Sequence, residues 1–495
     1  EQGDLSETTA IGLALGLSTQ ARLTSSAELG GKALPISARA VEAIKPLATA
    51  PSPTVSARRA YGEALIMQGY LQGNDRQYEA AVATLEEARK ALRSIDDLRM
   101  SDLAAAAAYA EATSWQVQWL ADMDRSDDAK RAGEEGLAVT AQVLESRPGH
   151  MQALRAQALI TSPLVRLLNN EMRLAESLAM SDKTIQAWRD FVRMDPGNTI
   201  SWSNLGVGYM NRNDTLQSMG RNADAAANLR SALETDTRAP PSAMMRWGLS
   251  NIAGRLAQLE ADRGNRKEAE AALARNRQFE DYLIAQRPAG SFLRAAQVAE
   301  SELWPMFVAR TLGDNQRALD LGRSALSKIE QLKPGDEQQA RARDNYLRWA
   351  NADMAQAAYR LGDYATAERH MTQVLEMRKR VPSRGAGDKR ETAMEQASMA
   401  LILSRLNRQA EAQKLLAPVL KYERDLSSVN RDDPSQRLEL ATALYVAAVA
   451  GLGEPATQIN EAATLIDHLP PEMRQLGSTS LLRRDVALEQ KGRGK

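Results

Sequence analysis

Trp202-Ser-Asn-Leu205-Gly206-Val-Gly-Tyr209 is the stretch on which the reading of this chain turns. Its W-x2-L-G-x2-Y spacing opens a helical repeat, and a repeat must be recognised before any other feature is interpreted. The second half of the unit follows as Gly220, Ala225, Leu229 and Ala232. The same G-x4-A-x3-apolar-x2-A pattern returns as Gly264/Ala269/Leu273, Gly313/Ala318/Gly322/Ala325, Gly362/Ala367/Met371/Val374 and Asn407/Ala412/Leu416/Val419. Looser copies stand at Ala81/Leu85/Ala88, Ala129/Gly133/Gly136 and Thr184/Trp188/Phe191. Gly or Asn is expected in a tight turn where φ is positive. The small residue five positions later lets a second helix lie close against the first. The residues four and seven beyond it share its face and fill the core.

These residues resemble the tetratricopeptide repeat (TPR) family. The step between first alanines averages about 47 residues against about 34 in the standard repeat, so each hairpin is longer than the family norm. The Trp202 copy carries seven extra residues before its Gly-to-Ala block, about two helical turns, which nearly preserves its apolar face. Pro148, Pro196, Pro240 and Pro334 follow their helices, as expected of a residue that cannot continue one. The resemblance implies an all-α, right-handed superhelical solenoid of about nine to ten hairpins. Capping helices are expected over 1–50 and a capping helix with a tail over 471–495, with the solenoid spanning 51–470. Residues 437–468 read as a further pair and 481–489 as the terminal cap. Val381 to Arg390 reads as a polar surface loop.

Composition agrees. The chain has 495 residues, 63 Lys+Arg and 63 Asp+Glu, 43% apolar residues and only 4% aromatic. Alanine-rich runs such as Leu103 to Ala110 favour helix, and no alternating Val/Ile/Tyr/Thr run predicts a strand. Zero net charge gives no basic excess for a nucleic acid partner. There is no cysteine, which excludes disulfides and thiolate zinc sites and suits an oxidising envelope compartment, so a periplasmic or extracytoplasmic location is favoured over the cytoplasm. Ile11 to Leu17 is too short to span a bilayer and lacks the basic flank of a signal peptide, so no membrane insertion is expected. Position 1 is Glu, and the chain reads as a mature or excised fragment.

Chemistry is not legible in the motifs. His150, His370 and His468 fall in distant repeats, so no metal centre or histidine-based catalysis is expected. Asp122 to Asp128 begins like a calcium loop, but Asp127 and Gly133 stand where Gly and Glu are required. Gly206-Val-Gly208 lacks its third Gly, and Gly31-Lys32 lacks the rest of a phosphate loop. No catalytic residue, cofactor or metal is assigned. Trp188, Trp202, Trp247, Trp304 and Trp349 read as core packing.

The expected activity is binding. In the family, helix A lines a concave groove, and the resemblance places Ser203, Asn204, Val207 and Asn211, then Asn251, Arg255, Gln258 and Asp262, then Asp353, Gln356 and Arg360 along it. Amides pair with peptide backbone and Arg forks onto carboxylates. The repeated Lys/Asn set of the carboxylate-clamp subfamily is missing, so a C-terminal carboxylate is not the expected ligand. The long hairpins resemble TPR regions of bacterial Ser/Thr kinases and membrane-tethered regulators. They imply a protein- or peptide-binding sensor or docking module of a larger signalling protein. The alternative is a stand-alone envelope assembly or secretion factor, and a third reading is an enzyme with its site in the groove. Self-association is left open.

Overall fold

A computed structural model describes residues 6–26, 30–93, 103–240, 242–380, 386–430 and 433–493. Among the described residues the chain is all-α, with no strand, and it divides into two compact units, Glu1–Pro196 and Gly197–Lys495. The first unit stacks four antiparallel hairpins: α1 (Glu7–Ser26) with α2 (Gly30–Ala48), α3 (Val55–Asn74) with α4 (Tyr78–Arg93), α5 (Leu103–Asp122) with α6 (Ser126–Ser146), and α7 (Met151–Asn170) with α8 (Leu174–Met194). The second stacks six: α9 (Thr199–Ser218) with α10 (Asn222–Leu233), α11 (Ala243–Asp262) with α12 (Arg266–Gln286), α13 (Phe292–Thr311) with α14 (Asn315–Glu330), α15 (Glu337–Arg360) with α16 (Tyr364–Arg380), α17 (Ala386–Arg405) with α18 (Gln409–Val429), and α19 (Pro434–Ala450) with α20 (Pro455–Asp467). A single turn, α21 (Pro471–Arg474), leads into a last helix, α22 (Gly477–Arg493). This is a solenoid of TPR-like hairpins.

The repeat residues take the places their chemistry requires. Ala81, Ala129, Ala225, Ala269, Ala318, Ala367 and Ala412 are all fully buried, and Ser177, five residues after Met172, holds the same place in α8; Thr184, expected there from the sequence, lies seven residues further on, at the place of Ala88 and Ala232. At each of these points helix B presses on helix A with no room for a larger side chain. The extra length is general rather than peculiar to the Trp202 copy, because most A helices run to 20 residues. What distinguishes that copy is its short B helix, α10, of 12 residues. Val381 to Arg390 is not a loop throughout. Residues 381–385 lie outside the described residues, whereas Ala386 to Arg390 form the first turn of α17, where Asp388 favours the helix N-terminus.

A and B helices start differently. Thr54, His150, Asn198, Ser242, Ser291, Asp336 and Asp433 each cap an A helix by accepting from a backbone N–H three residues on. Several B helices start without such a cap, directly after the turn. An arginine there pairs with the acid three residues later: Arg125 with Asp128, Arg173 with Glu176, Arg221 with Asp224 and Arg408 with Glu411. That acid also complements the positive end of the helix dipole.

The turns explain why the early copies look loose in sequence. Gly220, Gly264, Gly313, Gly362 and Asn407 have φ between 59° and 84°. In the first unit the same left-handed position is held by Arg76 (63°), Asp124 (63°) and Met172 (60°), none of which relieves the Cβ strain as Gly does. Met172→Gly is expected to stabilise the first unit by about 1 kcal/mol, the strain relieved less the added chain entropy. The measurement is a urea unfolding series, and an unchanged or lowered midpoint would contradict the strain argument.

Candidate functional site

In the second unit a single left-handed residue follows each A helix from α9 to α17 and so fixes its rotational phase. Counting back two, six, nine and thirteen positions from it picks out one stripe per helix. In α11 the stripe is Asp262, Gln258, Arg255 and Asn251; in α13 it is Thr311, Phe307, Trp304 and Glu300; in α15 it is Arg360, Gln356, Asp353 and Trp349. All but Arg360 line one cavity of about 760 Å³ in the second unit, together with residues of α9, α17 and α22. That volume lies in the range of ligand-binding clefts.

Of the residues singled out from sequence, the cavity brings together Asn251, Arg255, Gln258, Asp262, Asp353 and Gln356. Ser203, Asn204, Val207 and Asn211 lie on α9 outside it, where Asp214 and Gln217 are the lining residues. Arg360 is also outside, and its guanidinium is bound by Asp485 of α22 at 2.6 Å. The aromatic wall was missed. Trp304 and Phe307 line the cavity, and so does Trp349, which is 39% exposed. Trp247 is 44% exposed, whereas Trp188 and Trp202 are buried as expected of core residues. Gly254 is what admits Trp304, because a Cβ there would fall 2.2 Å from its indole. A glycine nine or ten residues before a turn was the available signal.

The guanidiniums of the cavity wall, and Arg390 beyond it, are engaged in ion pairs that link neighbouring A helices. Arg255 of α11 pairs with Asp214 of α9 at 2.6 Å, and Arg310 of α13 pairs with Asp353 of α15. Arg348 of α15 pairs with Glu391 at 2.7 Å and Glu395 at 2.9 Å, both on α17. Arg390 of α17 forks onto Glu439 of α19, both bonds at 2.9 Å. Among the described residues the amides of Gln217, Gln258 and Gln356 make no such bond.

One mouth of the cavity is crossed by α22. Its Thr479, Leu482 and Val486 are buried where the helix packs on α19 and α20, while Ser478 and Leu481 line the cavity. Asp262, at the end of α11, accepts from the Ser478 backbone N–H at 2.8 Å and from its hydroxyl at 2.9 Å. Asp485 meets Arg360 at the end of α15, and Glu489 meets Arg405 at the end of α17. Ahead of α22, Glu472 accepts from the Ala223 N–H at 2.9 Å and Pro470 packs beside Gly220. The last segment of the chain thus returns to the first two hairpins of its own unit.

A buried polar chain reaches the cavity from behind. Asn276 of α12 donates to Ser250, whose hydroxyl donates to Glu280; Gln297 of α13 donates to Glu280 and, at 3.4 Å, to Glu300. The Tyr346 hydroxyl donates to Glu300 Oε2 at 3.0 Å. Burial, and then the charge of Glu280, push the Glu300 carboxyl up to about 7. Its Oε1 makes no hydrogen bond among the described residues, although the side chain is only 6% exposed and lines the cavity.

No protein-family profile matches the chain, and no curated protein sequence matches it. Among solved structures it is similar to the apo form of RapI, at 12% identity and TM-score 0.45 over 74% of this chain and 98% of that one. It is also similar to a Rap protein complexed with competence and sporulation factor, at 12% identity and TM-score 0.42 over 77% and 98%. A human IFIT1 dimer with m7Gppp-AAAA matches at 13% identity and TM-score 0.36 over 94% and 91%. Scores this low add nothing to what the hairpins themselves show.

Two outcomes follow from this geometry. Asp262→Ala should free the start of α22, and hydrogen exchange of amides 477–486 should rise while that of α19 and α20 stays the same. Equal exchange in both proteins would mean that the start of α22 is held without Asp262. For Glu300, the raised folded-state value means that its stabilising contribution is complete below about pH 4.5 and is lost as pH rises through about 7. Glu300→Gln removes that loss. Its stability relative to the unsubstituted protein should be higher at pH 8 than at pH 4.5 by on the order of 1–3 kcal/mol, read by urea unfolding. An equal difference at the two pH values would contradict the assignment.

Proposed function

We propose that this chain is a non-catalytic binding scaffold that holds an extended segment of a protein partner in the cavity of its second unit. The observation that carries the reading is the wall itself: Trp304, Phe307 and Trp349 supply apolar area beside the uncommitted amides of Gln217, Gln258 and Gln356. Apolar surface with a few placed amides suits a peptide, whose backbone needs donors and acceptors and whose side chains need shelter. The pairing of Arg255, Arg310 and Arg348 speaks against nucleic acid, because a phosphate lane needs cations that are not already neutralised. The finer reading is a sensor or docking module of a bacterial signalling protein acting outside the cytoplasm, supported by the long-hairpin style of the repeats and the lack of cysteine. No helix among the described residues is long and apolar enough to cross a membrane.

The test is a random peptide display library panned on the purified chain and on Gln258→Arg/Gln356→Arg, which fills the cavity without touching an ion pair. Peptides retained by the first and lost by the second, with both proteins unfolding at the same temperature, support the reading. Failure to enrich any peptide, or equal retention by both, would remove the cavity from the binding surface.

A further inference from the structure

We infer that the cavity seats a positively charged group, the Lys or Arg side chain of a bound peptide, against Glu300 and the rings of Trp304 and Trp349. This rests on the cavity being the peptide site.

Three observations converge. First, the wall carries six carboxylates (Asp214, Asp262, Glu300, Asp353, Glu391 and Glu395) against three guanidiniums. Arg378, behind the wall, adds a fourth guanidinium that pairs with Glu391 and Glu395, and an acidic excess remains. An anionic ligand would have to displace a carboxylate already bound to its arginine, at a cost in both desolvation and lost ion pairing. A cation meets no such competitor.

Second, Glu300 is half satisfied. Oε2 takes the Tyr346 hydroxyl and Gln297, and among the described residues no donor reaches Oε1 at the cavity wall. Oε1 opens onto the cavity, and a charged donor there completes the carboxylate better than water does.

Third, two indoles share the cavity wall with Glu300. Trp304 is four residues on from Glu300, one turn along the same face of α13. Trp349 holds on α15 the place that Glu300 holds on α13, each thirteen residues before its turn. Its indole packs edge-on against Tyr346, centroids 5.9 Å apart, and Tyr346 is the residue bonded to Glu300. Indole faces attract cations, and a carboxylate beside two of them selects a charged donor over a neutral one. Gly254, by admitting Trp304, is part of the same construction.

The experiment pans the peptide library at pH 8, where Glu300 is ionised, on the full chain and on Glu300→Gln. The expected result is enrichment of Lys or Arg at one position on the unsubstituted chain, with that preference lost on Glu300→Gln. Replacing the basic residue of a selected peptide by Gln should weaken its binding to the unsubstituted chain by about 10- to 100-fold, and its binding to Glu300→Gln far less, by calorimetry. Spermidine, titrated alone, reports the seat without a peptide. Peptides enriched without a basic residue, or an equal loss in both proteins, overturn the charge assignment and leave the peptide site standing. If no peptide is enriched, the peptide site itself falls. Spermidine binding in that case, weakened by Glu300→Gln, supports the cation seat and overturns a peptide as its source.

Discussion

The first five hairpins of the second unit are phased by one constraint, the single left-handed residue after each A helix. Reversing the chain there drops helix B directly onto helix A, which is why the residue five positions on is buried to the last atom. It also clocks the A helix, so that residues at fixed distances before the turn face inward along α11, α13 and α15. Close approach at the alanines and a coherent inner wall are two results of one backbone angle. Glycine supplies that angle without strain, whereas Arg76, Asp124 and Met172 hold it in the first unit against the preference of their Cβ atoms.

The inner wall is also a chain of charges. Asp214 to Arg255, Arg310 to Asp353, Arg348 to Glu391 and Glu395, and Arg390 to Glu439 link successive A helices. Several of these side chains are half-buried, where a pair fixes geometry more than it adds stability. They set the register of one hairpin on the next and leave the wall with few free cations.

Much of the fold was legible because its determinants are local. The turn glycines, the small residues after them and the N-cap of each A helix declare themselves within a few positions. The inner stripe of α11 and α15 was legible for the same reason, since it follows from phase. Trp304 and Trp349 were read as core because an isolated tryptophan on a helix is usually buried. Only Gly254, on a different helix, shows that Trp304 is let into the wall rather than into the core. Arg360 was placed in the groove from its register, and its partner Asp485 lies 125 residues away. The return of α22 across the cavity mouth depends on the accumulated curvature of six hairpins, which no short stretch of sequence encodes. In the first unit, Arg89 is buried among Gln116, Tyr109 and Glu135 by residues scattered over three helices, and it gave no motif at all.

A stack of hairpins joined only to its neighbours behaves as a spring, with pitch and curvature free to vary at small cost. The second unit is a spring with a tie rod. One end of α22 is held by Asp262 and its middle and far end by Arg360 and Arg405, so hairpins two, four and five are fixed to one rigid element. The conformational freedom of the array is therefore surrendered during folding, not at the moment of encounter. A ligand of the proposed site would meet a wall whose curvature is already chosen, and its contacts would go to affinity instead of to ordering the protein.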